Sequence, residues 1–160
     1  MRYIVKQKIF SLGDSFTIKD EFQNDIFIVR SQLLSFGKKL RMFDLSGNEL
    51  CYIEQKVFTF LPEYNIYILG ENVANVKKKF AFFRNDFQIS TPNGNNYYVD
   101  GDFLAHEFSL FKGEKRIANI SKKFFSFTDT YGVEIDDSQD QISTLALAIV
   151  IDMVCHDKND

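Results

Sequence analysis

The chain has 160 residues, of which 45% are hydrophobic, with a formal net charge of −3 and a pI near 5.4. That length suits one domain that buries about two-thirds of its unfolded surface without disulfides or metals, and the acidic balance excludes a general nucleic-acid binder, which carries a basic excess. The apolar share is skewed, with 18 Phe, 7 Tyr, no Trp and only 2 Pro, a composition that favours strands.

The first stretch, MRYIVKQKIFSLGD, begins with charge and alternation and lacks the uncharged apolar core of a signal peptide. A cytoplasmic chain is expected. Cys51 and Cys155 have no CxxC partner and are expected to be reduced, buried, small apolar residues. From the start to about residue 136 the sequence is a succession of short segments rich in Phe, Tyr, Ile and Val with period-two alternation, about a dozen in all. Turn chemistry separates them at Gln23-Asn24-Asp25, Ser46-Gly47-Asn48, Pro92-Asn93-Gly94-Asn95 and Lys112-Gly113-Glu114. No long linker or low-complexity tract interrupts them, so 1–160 reads as a single domain.

The chain also resembles itself. A shift of 71 positions lays Val5, Lys6, Lys8, Phe16, Ile18 and Leu33 on Val76, Lys77, Lys79, Phe87, Ile89 and Leu104. With a shift of 67, Ile53, Lys56, Phe58, Phe60, Tyr64 and Ile68 fall on Ile120, Lys123, Phe125, Phe127, Tyr131 and Ile135. The matches keep their order, which predicts two six-strand repeats over about 1–70 and 71–136, related by an approximate two-fold in one closed sheet.

STLALAIVIDMVC, from Ser143 to Cys155, is apolar except for one aspartate. The stretch from Ile142 to Cys155 spans about 21 Å as a helix, short of the roughly 30 Å of bilayer hydrocarbon, so no transmembrane segment is expected. Ser138 and Gln141 form an S-x-x-Q capping pattern, and Asp136, Asp137 and Asp140 suit the positive end of the helix dipole. The predicted helix covers about 139–156. Being apolar on all sides, it must be enclosed by protein. A barrel of about twelve strands leaves a lumen wide enough to hold it. The predicted fold is therefore mainly β: a closed antiparallel barrel of about twelve strands around a hydrophobic C-terminal helix. Alternation in VFTF and FFSF directs Phe58, Phe60, Phe125 and Phe127 inward, with Thr59 and Ser126 outward.

Three stretches, KQKIFSLGDSFTIKDE, FLPEYNIYI and LALAIVIDMVCH, resemble the LURP-one-related family of the tubby C-terminal-like superfamily, which also contains the phospholipid scramblases. The resemblance covers essentially the whole chain. It implies a twelve-stranded barrel around a hydrophobic C-terminal helix, no established enzymatic activity, and relatives that bind phosphoinositides or act on membrane phospholipids.

Several residues are candidates for function. Lys6, Lys8 and Lys56 match Lys77, Lys79 and Lys123 of the second repeat, with Lys78 and Lys122 beside them, and spacing by two puts lysines on one strand face. They form either a solvated outer face that discourages edge pairing or a patch for anionic phospholipid headgroups. Asp152 and His156 lie one helical turn apart and are either a polar site at the barrel end or an aspartate satisfied by backbone or by His156. Asp136, Asp137 and Asp140 occupy the place where scramblases carry an acidic calcium-associated segment, but they lack a calcium-loop pattern and helix capping accounts for them. Cys155, His156 and His106 have no zinc spacing, and no catalytic or nucleotide-binding motif occurs. No cofactor and no metal are expected. The leading expectation is a non-catalytic binding or adaptor domain for anionic phospholipid or a protein partner, acting through the barrel surface. The alternative is a lipid-handling protein or enzyme with a pocket near Asp152 and His156.

Overall fold

The computed structural model describes residues 1–7, 15–34, 36–80, 87–103, 105–124 and 129–156, without the side chains of residues 33, 34 and 156. Lys8, Phe125, Ser126 and Phe127 lie outside the described residues. Among the described residues, twelve strands precede one α-helix. They are β1 (Arg2–Lys6), β2 (Ser15–Asp20), β3 (Asp25–Leu34), β4 (Gly37–Phe43), β5 (Glu49–Gln55) and β6 (Glu63–Ile68). The second six are β7 (Glu71–Lys78), β8 (Phe87–Ser90), β9 (Tyr97–Asp102), β10 (Glu107–Lys112), β11 (Lys115–Ser121) and β12 (Thr130–Ile135), followed by the helix α1 (Gln141–His156).

The strands form one antiparallel sheet in the order β8-β7-β6-β5-β4-β3-β2-β1-β12-β11-β10-β9. It is a meander curled into a nearly closed barrel. Its ends meet in space between β8 and β9, where side chains take the place of a hydrogen-bonded ladder: the Phe87 and Phe103 rings pack edge to face at 5.4 Å. The chain's first strand pairs with its last, Arg2 opposite Glu134 through to Lys6 opposite Thr130, so this seam falls in the middle of the sequence.

Local chemistry fixes the hairpins. Asp20 and Asp44 each accept backbone N–H bonds from the residues two and four further on, Phe22 and Asn24 in one case and Ser46 and Asn48 in the other, all at 2.9 Å. These paired Asx turns close the β2–β3 and β4–β5 connections. Gly101 serves a different purpose. Its φ of +138° lies in glycine's territory, and a Cβ there would collide with the Glu107 and Phe108 backbone across the ladder, so only glycine lets β9 approach β10 that closely.

Period-two alternation aims Tyr3, Val5, Ile18, Val29, Leu40, Met42, Ile53, Ile66, Val76, Leu110, Ile120 and Val133 into the lumen, each nearly inaccessible to solvent. α1 fills it, packing against β5, β6, β7, β11 and β12. Leu145, Leu147, Ile149, Val150, Ile151, Met153 and Val154 are all buried, each contributing about 1.5 to 3 kcal/mol. Ala146 and Ala148 are fully enclosed.

Two expectations need correction. Phe58 and Phe60 do not point inward: they are 97% and 94% exposed. β5 already crosses the wall by Gln55, and VFTF continues past the rim as the connection to β6, where alternation no longer sorts inside from outside. The helix cap is also not Ser138. Asp140 Oδ1 accepts the Ser143 backbone N–H at 2.8 Å, making Asp140 the N-cap residue, and Ser138 instead donates to Asp136. Asp140→Ala is expected to cost about 1 kcal/mol and Ser138→Ala distinctly less, read from urea-denaturation midpoints.

Candidate functional site

Strand register gives the barrel two chemically different ends. α1 enters beside Met1, Asp20, Asp44 and Ile135 and leaves where β1 finishes at Lys6 and β12 starts at Thr130. At the entry end, cations face carboxylates: Lys19 and Asp25 at 2.6 Å, Arg41 and Glu49 at 2.8 Å, Lys115 and Asp136 at 3.2 Å, and Arg2 beside Glu134.

The three candidate metal aspartates all have structural work at this end. Asp137 meets the Met1 amine at 2.8 Å, and Asp140 caps the helix. Asp136 accepts from Ser138 and Lys115. The Ser138 hydrogen bonds, then Lys115, hold its carboxyl at about 2. That stabilisation is complete above the ordinary carboxylate value and is lost as pH falls toward 2. Among the described residues no group of three or more His, Cys, Asp or Glu could hold a metal ion.

The exit end gathers the lysines. Lys6 ends β1, Lys56 follows β5, Lys77 and Lys78 close β7, and Lys79 comes next. Lys38 and Lys39 open β4 on the same rim. Lys122 and Lys123 also emerge here, but in a 3-10 turn that folds back on β12, where the Arg2 guanidinium sits 5.3 Å over the Phe124 ring. The structure thus brings Lys56, Lys77, Lys78 and Lys79 together around β5, β6 and β7, and keeps Lys6, Lys122 and Lys123 on the opposite part of the rim near β1 and β12. Lys56 pairs with Glu63 at 2.9 Å. That hydrogen bond is the main reason the Glu63 carboxyl titrates below its ordinary value, against the opposing effect of burial. Among the described residues, no carboxylate lies within ion-pair distance of Lys6, Lys77, Lys79, Lys122 or Lys123. Four exposed phenylalanines share this end: Phe58, Phe60, Phe36 at 72% and Phe80 at 70%.

Beneath the rim lies a buried polar cluster. Asp152, 3% exposed, places Oδ1 2.6 Å from Nδ1 of His106, itself 5% exposed, and the His106 ring stacks on Tyr131 at 5.6 Å. Burial first, then the Asp152 charge, pushes the Tyr131 phenol well above its ordinary value. Asp152 therefore turns to the β9–β10 connection, and the His156 side chain lies outside the described residues. His106 was the partner missed from sequence. Its only signal was rarity, as one of 2 histidines in the chain. Both side chains are buried, and the contact partners the one charge within the helix. Of the two cysteines, Cys51 is buried as expected and Cys155 only partly so; burial pushes both thiols up to about 12, so both are protonated at neutral pH. No described helix is long and apolar enough to cross a membrane.

Comparison with known proteins agrees with this architecture. The family model described as LURP-one-related matches residues 1–152. The chain is 40% identical over 156 residues to "Uncharacterized protein YxjI" of Bacillus subtilis (strain 168), covering 98% of this chain and 94% of that relative. The fold is similar to an X-ray structure of a protein from Arabidopsis thaliana, with a TM-score of 0.65 at 15% identity, over 94% of this chain and 88% of that one. A barrel of this topology around its own C-terminal helix, matched along nearly its entire length, makes the chain a member of the LURP-one-related family.

Proposed function

We propose that the chain is a non-catalytic cytoplasmic binding domain that docks the lysine end of its barrel on anionic phospholipid. The observation that carries this reading is the uneven charge of the two ends. Among the described residues, lysines outnumber the carboxylates at the exit rim, where Glu54, Glu63, Asp102, Glu107 and Asp129 also lie, while cations at the entry end face carboxylates. Such separation turns a protein of net charge −3 so that its basic end meets an anionic surface first. A lysine near that surface contributes about 1 kcal/mol. Both cysteines are free, as a reducing cytoplasm keeps them.

The test is co-sedimentation with vesicles. Enrichment on phosphatidylglycerol-containing vesicles at low salt, weakening as salt rises, is expected, with little on phosphatidylcholine alone. Replacing Lys77 and Lys79 together by alanine is expected to weaken binding roughly 30-fold. An absence of enrichment on anionic vesicles at low salt removes the phospholipid reading and leaves a protein partner as the alternative.

A further inference from the structure

We infer that the β5–β6 connection is a membrane-inserting wedge, with Phe58 and Phe60 entering the acyl region of an anionic bilayer while the lysines beside them engage phosphates. This rests on the phospholipid reading above and adds to it an apolar contact that charge alone does not require. Two phenylalanines four-fifths or more in water are not accounted for by the fold, since the lumen is filled without them.

Their display is built rather than slack. At the base of the connection, the Lys56 N–H donates to the Glu63 carbonyl at 2.8 Å while the Lys56 ammonium pairs with the Glu63 carboxylate. Thr59 Oγ1 donates back to the Lys56 carbonyl at 3.3 Å. Val57 lies against Gly37, where a Cβ would come 3.1 Å from its Cγ1 and where φ is +112°. Phe58 itself adopts a φ of +61°, a left-handed conformation that bulky residues avoid. Held there by its surroundings, it is a strained residue of the kind that clusters at functional sites.

Neighbours extend the same surface. Phe36, from the β3–β4 turn, joins Phe58 and Phe60 around a shallow groove of about 360 Å³. Phe80 follows β7, and Lys78 N–H donates to the Pro62 carbonyl at 3.0 Å, which ties β7 to the end of the β5–β6 connection. Lys38, Lys39, Lys56, Lys77 and Lys79 flank this one sector of the rim. Protruding aromatic tips among lysines match the layered chemistry of a bilayer interface: phosphates outside, hydrocarbon a few ångströms below. A protein partner would instead need preformed pockets for Phe58 and Phe60, whose side chains stand almost wholly in solvent.

Because the chain has no Trp, single-tryptophan reporters are clean. Phe58→Trp and Phe60→Trp, with Phe22→Trp at the opposite end as control (Phe22 is 76% exposed), are titrated with phosphatidylglycerol/phosphatidylcholine vesicles and sedimented in parallel. Insertion predicts a blue-shifted emission and quenching by chain-brominated lipid at positions 58 and 60, and neither at 22. Phe58→Ser and Phe60→Ser should each weaken vesicle binding about tenfold, with an unchanged circular dichroism spectrum. Sedimentation without shift or quenching at 58 and 60 overturns insertion and leaves surface docking intact. A shift at 22 in place of 58 and 60 overturns the orientation. Failure to sediment at all removes both the insertion and the phospholipid reading.

Discussion

A chain ending at Asp137 is expected to aggregate rather than yield a folded monomer. Removing α1 empties the lumen and uncovers the inward faces of the strands, whose residues pack on Leu145, Leu147, Ile149, Val150, Ile151, Met153 and Val154. At about 1.5 to 3 kcal/mol for each of these side chains, the combined loss is as large as the roughly 5 to 15 kcal/mol by which a domain is normally stable. Water cannot substitute, because the cavity wall is hydrocarbon. Gel filtration and near-ultraviolet circular dichroism are the checks. A monodisperse truncated protein with fixed aromatic signals and cooperative unfolding would show that the barrel stands without its helix.

The second large effect belongs to His106. His106→Ala takes from the Asp152 carboxylate, 3% exposed, the His106 Nδ1 at 2.6 Å and leaves the Tyr131 phenol beside it. Breaking a buried pair by deleting one partner costs about 3 to 5 kcal/mol, and the left-handed φ of +52° at this position suits alanine poorly. Replacing both partners, His106→Ala with Asp152→Leu, should recover part of the loss, since no charge then remains to be satisfied. Urea denaturation of the two single variants and the double variant gives the coupling directly. A cost below 1 kcal/mol for His106→Ala, or strict additivity, means that the pair contributes nothing.

The fold was legible because its determinants are local or periodic. Turn clusters marked the β2–β3, β4–β5 and β10–β11 hairpins, while Pro92–Asn95 joins β8 to β9 across the seam, where no ladder forms, and a helix apolar on every side admits one location. The duplication is proposed on the same footing, supported by matched residues that are buried in both halves: Val5 and Val76, Ile18 and Ile89, Ile53 and Ile120, Tyr64 and Tyr131. What escaped sequence reasoning depends on where strands stop. VFTF has a strand's alternation, yet a wall of fixed height uses only the residues up to Gln55, and nothing in the pattern itself marks the rim. The partner of Asp152 was missed for a related reason. A residue one turn away on the same helix is visible in a sequence, whereas His106 arrives from a connection between two distant strands. The lysines were found as a periodic pattern, but their gathering at one end, and the addition of Lys38, Lys39 and the exposed phenylalanines, required the register of every strand around the barrel.

The pairing of β1 with β12 has a consequence for how the protein is made. Strands emerging from a ribosome in chain order can zip into successive hairpins as far as β8, yet the first strand keeps one bare edge until Thr130–Ile135 has been translated. The residues that α1 must cover wait longer still. Assembly is thus delayed until α1 has been translated, and the nascent chain carries an open, oily sheet up to that point. Holding factors that shield such edges therefore matter more for the yield of this protein than for one whose domains close as they emerge.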